Sequence, residues 1–320
     1  MVGKYMRQII LVAALFSLLS SNLLAGNGTA GFEFLRIDFN PRSSAMAGAF
    51  VAMRGDISTV LHNPAGMAYT EERLFNFDYV NYLLDIGGGQ AAYSQRIADL
   101  GQITGLVTYF NYGSFDETTE FAQKTGNQFS ANDVAFGLSY ADVLEEMFSY
   151  GVTMKYVHSK IDVYTASALA FDFGLLYEAP FEQDLFFGLS VLNVGTSLAA
   201  FIATKESLPL SVRLGMSKKL AHLPLEYNIA LNDLNVSEDS IWDRLKKFSI
   251  GGEFTISELI RLRLGYNNDI HQGLDTGTGA GFSGVALGLG LHFDQYRFDY
   301  GFSSFGDLGT THRFGLSGSI

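Results

Sequence analysis

Near the C-terminus every second residue is apolar or tiny, in Tyr296, Phe298, Tyr300 and Phe302 and again in Phe314, Leu316, Gly318 and Ile320, while Arg297, Asp299, Ser303, Arg313, Ser317 and Ser319 fall between. Side chains of a strand point alternately to opposite faces, so one face is aromatic and the other charged. A transmembrane β-barrel needs that division, apolar toward lipid and polar toward the lumen. The same period recurs from about Arg73 onward, at 75–79, 134–140, 150–156, 169–177, 185–191, 212–216, 248–254 and 262–266, and more weakly at 91–97, 103–112, 225–231 and 285–293. A tilted strand crosses a bilayer in about 9–11 residues, and these segments predict an all-β antiparallel transmembrane barrel of about 14 strands.

The connections repeat a second rhythm. Short ones at 98–101, 141–147, 178–184, 220–224, 257–258 and around Asp294 alternate with longer ones at 84–90, 113–132, 158–165, 195–209, 232–247, 267–284 and 304–310. Short periplasmic turns and long extracellular loops give this pattern when both termini face the periplasm. Abundant Gly, Phe and Tyr and scarce Pro suit long strands, but they suit a large soluble sandwich as well. It is the periodicity that separates the two.

Lys4 and Arg7 precede an apolar run from Ile9 to Leu24 that ends at Ala25 before Gly26, the three parts of a secretory signal peptide. Residues 1–25 are therefore expected to be a cleaved leader, 26–70 a plug inside the barrel and 71–320 the barrel itself. The location implied is the outer membrane of a Gram-negative-type bacterium. With Cys 0, the chain has no disulfides, thiol chemistry or thiolate metal site. A net charge of −12 disfavours nucleic acid and anionic surfaces as partners.

The charges that fall between the apolar positions point to the lumen: Asp78, Asp133, Lys155, Asp172, Arg213, Glu253, Arg261, Arg263, Arg297, Asp299 and Arg313. Facing lipid, an Arg or Lys would cost about 2–4 kcal/mol at mid-membrane. Opposite signs on neighbouring strands brace a filled lumen better than they line a wide pore. The segment 26–70 does not alternate, and left outside the barrel it would expose Phe32, Phe34, Leu35, Ile37, Phe50, Val51, Val60 and Leu61. As a plug it would have its Asn63, Pro64, Ala65, Gly66 turn near the periplasmic side of the wall, and Lys155, Asp172, Arg261, Arg263 and Arg313 would bond plug backbone groups. Arg is expected to be tolerated at the inward Gly174 but not at the outward Phe173.

Catalytic, cofactor and metal residues are not expected. Gly26, Gly28, Gly31 and Gly279, Gly281, Gly284 fit G-x-G-x-x-G, but neither match has the strand before and helix after that a dinucleotide site requires. The six histidines are scattered, and no G-x-S-x-G elbow occurs. In the loop 232–247, Ile241, Trp242, Leu245 and Phe248 recur at helical spacing behind Asp239 and Ser240, predicting a short helix. Trp242 is then either an anchor on the barrel rim or a contact for a partner.

The stretch 28–67, with Thr29, Ala30, Gly31, Arg42, Met46, Gly48, Ala49, Phe50, Val51, Ala52 and the Asn63–Gly66 turn, resembles the start of the PorV/PorQ family of FadL-like outer-membrane proteins. So do Lys155 and Tyr156, Asp172 and Gly174, Asn193, Val194 and Gly195, Phe298, Asp299 and Tyr300, and 305–313. The resemblance implies a fourteen-stranded barrel with an N-terminal plug. For PorV-like members it implies a non-enzymatic part in type IX secretion, with secreted cargo proteins and translocon subunits as partners. For the broader FadL-like group it implies passage of hydrophobic small molecules. Either role is set in outer-membrane lipid.

Overall fold

In the computed structural model, which describes residues 31–70, 73–97, 100–145, 147–238, 240–274 and 281–320, fourteen antiparallel strands close on themselves. They are β1 (Leu74–Asn81), β2 (Gly87–Ile97), β3 (Gly101–Thr118), β4 (Lys124–Glu145), β5 (Phe148–Ile161), β6 (Tyr164–Glu178) and β7 (Leu185–Ala199), followed by β8 (Ser211–Lys219), β9 (Leu225–Leu231), β10 (Phe248–Thr255), β11 (Ile260–Asn267), β12 (Val285–Phe293), β13 (Tyr296–Ser304) and β14 (Thr310–Ser319). Each strand pairs with its sequence neighbours, and β1 closes the cylinder on β14 from Leu74↔Ser319 to Asn81↔His312. Closure leaves no edge at membrane depth, where unpaired backbone groups have no water to bond. The fold class expected from the alternation is therefore borne out. The leader, the residues 26–30, Asp239 and Gly279 lie outside the described residues. No helix among the described residues is long and apolar enough to cross a membrane.

Outward positions carry exposed apolar side chains, among them Phe77, Phe136, Met154, Leu264, Phe298 and Phe314, while the alternate positions are buried. The ladder departs from the expected loops at the end with the longer connections. Where loops were expected over 113–132 and 158–165, β3 runs on to Thr118, β4 begins at Lys124, and β5 and β6 meet at Ile161 and Tyr164. Above the bilayer both faces of a ribbon are wet, so hydrogen-bonded strands continue there without the alternation that betrays them.

Inside the cylinder lie residues 31–70. The Gly31 N–H donates to Ser207 O at 2.9 Å, in the 200–210 connection at the end with the longer connections. From there the chain descends through a 3-10 turn at Glu33–Arg36, the helix α1 (Pro41–Ala45), and 3-10 turns at Ile57–Leu61 and Pro64–Tyr69. α1 packs on β11–β14, and Pro64–Tyr69 packs on β3–β6. No helix was read there from sequence, because a helix surrounded by protein on all sides shows no apolar stripe. Local chemistry explains it instead: Asn40 caps the N–H groups of Arg42 and Ser43, and Pro41 occupies the first turn. Phe34, Phe50, Val51 and Val60 are fully buried.

Candidate functional site

The plug and the wall meet in a closed ring of six charges. Arg42 of the plug donates from Nε and Nη2 to the two oxygens of Glu253 on β10, both at 2.8 Å, and from Nη1 to Asp56 of the plug at 2.7 Å. Asp56 also accepts from Arg297, whose Nε reaches Asp299 on the same strand. Arg263 on β11 completes the circuit, donating to Asp299 and, at 2.6 Å, to Glu253. Gly290 makes the span to Asp299 feasible, because a Cβ on this residue of β12 would sit 2.6 Å from Arg263 Nη2. Three guanidiniums alternate with three carboxylates, so each buried charge has two opposite neighbours. Burial alone would raise the Asp56 carboxyl, but Arg297 and Arg42 outweigh it and hold it well below the usual carboxylate range.

A second contact zone needs almost no side chains. Gly151↔Gly174, Gly188↔Gly215, Gly251↔Gly265 and Gly288↔Gly301 face one another across neighbouring strands. A Cβ on any of them would run into the plug: Pro64 at Gly151, Asn63 at Gly174, Val51 at Gly188 and Gly215, Met46 at Gly251 and Gly265, Ala45 at Gly288, Pro41 at Gly301. The wall is thus bare where the plug backbone touches it. The Asn63–Gly66 turn sits in this belt, with Asn63 Nδ2 donating to Val51 O at 2.7 Å and to Leu175 O at 3.1 Å. Gly174 therefore cannot take the Arg expected of a free inward position, since Asn63 already fills that space.

The other inward charges serve different partners. Only Arg313 among the five expected to hold plug backbone does so, donating to Asp38 O at 2.6 Å. Lys155 pairs with Asp172 at 2.8 Å and donates to Asn193 Oδ1. Asp172 faces a bulge in β7, where Phe171↔Val194 gives way to Phe173↔Val191. Asn193 sits there at φ 61 with its N–H donating to Asp172 and its Nδ2 to Pro209 O. Arg261 bonds the carbonyls of the turn at Ser257 and Glu258, and Arg213 donates to Ser211 Oγ. Asp78 accepts from Asn40 and Asn76, and Asp133 from Tyr112 and Ser159. Long side chains find the nearest acceptor, and alternation predicts only their face.

Above the belt the wall and plug part to leave a cavity of about 580 Å³, lined by Phe34, Asp38, His62, Phe110, Arg213 and Arg313 among others. On the lipid side an apolar groove runs between Phe77, Tyr93, Gly105 and Ile320, and Leu106 lines both the groove and the cavity. The loop helix is present as α2 (Ile241–Leu245), capped by Ser240, and Trp242 stands 72% exposed. Among the described residues no three His, Cys, Asp or Glu gather to hold a metal. Sequence reasoning missed the glycine belt and Arg42 and Asp56. An inward glycine on each of the eight belt strands was the available signal.

The model of the family described as type IX secretion system protein PorV matches residues 25–176, which hold the plug and β1 to most of β6. Among solved structures, the toluene transporter TbuX of Ralstonia pickettii is similar at TM-score 0.59 and 12% identity, over 88% of this chain and 98% of that one. A TodX monoaromatic hydrocarbon channel variant gives TM-score 0.60 and 12% identity over 88% and 97%. A Pseudomonas aeruginosa FadL homologue gives 0.53 and 10% over 87% and 97%. These likenesses show the fold of FadL-like outer-membrane barrels, and the family match bears out the resemblance to PorV. No curated protein matches in sequence.

Proposed function

We propose, from the PorV match and the FadL-like barrel together, that this chain works without catalysis in type IX-like secretion, handling exported proteins on their way to attachment at the cell surface. The observation that carries this reading is the seated plug. Ring and belt fill the lumen at one level, so polypeptide does not pass through this barrel, and its working surface is the extracellular end. The leader at residues 1–25 is removed on this reading, and the plug begins at Gly26.

A second reading, passage of hydrophobic small molecules, is favoured by Leu106, which among the described residues is the one side chain lining both the inner cavity and the lipid-facing groove. Crosslinking in native membranes followed by purification separates the two. Secreted cargo or translocon subunits attached to the barrel, with loss of surface display when the chain is deleted, supports export. Unaltered display, with fatty or aromatic compounds retained by the purified protein, overturns export in favour of passage. Deleting residues 32–62 with the leader kept should raise single-channel conductance, because the ring and belt lose their inner half; unchanged conductance would refute the plug.

A further inference from the structure

β3 and β4 outlast their neighbours. β2 leaves β3 at Gly87↔Asn111 and β5 leaves β4 at Ala131↔Ile161, yet β3 and β4 stay paired out to Thr118↔Lys124. The ribbon 113–129 therefore stands above the rim with neither edge paired to a further strand among the described residues, Gly113 N–H being bonded locally by Asn111 Oδ1. Free N–H and C=O groups along an edge are a template for another strand, which natural sheets usually blunt with proline or lysine. The β3 edge carries neither.

The two faces of the ribbon differ. Phe115 stacks on Phe129 with ring centroids 5.4 Å apart. Phe129 shares its face with the buried Ala131, Asp133 and Ala135, so this pair looks toward the barrel axis. Ile161 and Tyr164, paired with each other on β5 and β6, continue the apolar band beside it. Directly beneath lies Tyr112 at the wall of the cavity. The opposite face of β3 presents Asp116. Hydrogen bonds from Lys124 and Gln128 hold that carboxyl below its usual range, and bonds from Thr125 and Asn127 do the same for Glu117.

We infer that the β3 edge at 112–118 receives an extended segment of a partner protein as an added strand, one whose side chains alternate between apolar and Lys or Arg. Its apolar side chains extend the Phe115–Phe129 band over the cavity mouth, and its basic ones face Asp116. The β4 edge carries Lys124, a residue type that blunts free edges, and the ribbon as a whole is acidic, with Asp116, Glu117 and Glu120 against that one lysine, which Asp116 already pairs. The inference rests on the polypeptide-handling reading above and gives that reading a place of contact.

The absence of cysteine makes the test direct. A synthetic peptide of alternating valine and lysine, its one cysteine activated as a thiopyridyl mixed disulfide so that the protein thiol displaces thiopyridone, is offered to the purified full chain carrying Ser114→Cys, and separately to the chain carrying Asn127→Cys on the β4 edge. The disulfide should form at Ser114→Cys, at least about tenfold faster than at Asn127→Cys or with a peptide in which glutamate replaces lysine. Equal linkage at both positions, or indifference to peptide charge, overturns the inference. In cells, a variant with the ribbon shortened to a tight turn after Asn111, checked for normal barrel yield, should lose surface display of exported proteins as the full deletion does. Display lost in the deletion but kept with the short ribbon overturns the docking edge alone. Display kept in both overturns the export reading together with it.

Discussion

The belt around the plug and the mouth above it solve opposite problems with the same strands. At the belt the wall gives up its side chains, pairing glycine with glycine across four strand pairs so that plug backbone lies against wall backbone. At the mouth it keeps bulky and charged side chains, and a cavity of about 580 Å³ remains. Close approach of two backbones permits one fit only, whereas side chains around a void can rearrange. The belt and ring set where the plug sits, and the mouth is the part of the lumen still able to accept something.

That contrast can be broken most severely at the ring. Arg263→Met leaves Glu253 and Asp299 short of a buried cation and should cost about 3–5 kcal/mol, read as a lowered urea midpoint in detergent; an unchanged midpoint would show the ring to be incidental. Next comes the lipid face, where Phe173→Arg should lose about 2–4 kcal/mol and hinder assembly, visible as loss of the gel shift between unboiled and boiled protein. At the adjacent belt position Gly174→Val should cost about 1–3 kcal/mol by displacing Asn63, and it should raise bilayer conductance where Phe173→Arg does not. A loss of about 1–3 kcal/mol is expected for Asn40→Ala, which uncaps α1 and takes a buried donor from Asp78. Trp242→Ala, at the mouth, should stay within about 0.5 kcal/mol, so a larger shift there would mean that Trp242 is packed on something.

Acid offers a further probe of the seat. A carboxyl depressed on folding contributes stability above its unfolded pKa and loses it as pH falls through the folded value. Asp56 lies well below the ordinary range. The plug should therefore stay seated in mild acid and loosen only in strong acid, with conductance against pH as the readout. Current rising already in mild acid would place the lock elsewhere.

The sequence was legible where one face of a strand meets lipid. β9 at Leu225–Leu231 and β12 at Val285–Phe293 coincide with their alternating segments, and the aromatic faces of β13 and β14 pair across the ladder as Phe298↔Leu316 and Tyr300↔Phe314. Legibility failed in water, where β3 and β4 carry on beyond Tyr112 and Asn132 without a hydropathy signal. It failed again at the belt, because glycine has no side chain to mark a face and its meaning lies in what approaches it. The inward charges were readable as a set, but Arg263 reaches across β12 to Asp299 only because Gly290 lies between them. Such a partner depends on a neighbour's missing atoms.

The course of the plug also limits the routes by which it can reach its seat. Gly31 is tied to the outer end of the cylinder and Thr70 leads into β1 at the inner end, so this segment runs the full depth of a lumen whose only seam joins the first strand to the last. A finished cylinder has no slot through which α1 and its ring could be threaded sideways. The plug can therefore arrive by two routes only, along the axis through an open end or before the β1–β14 seam has closed.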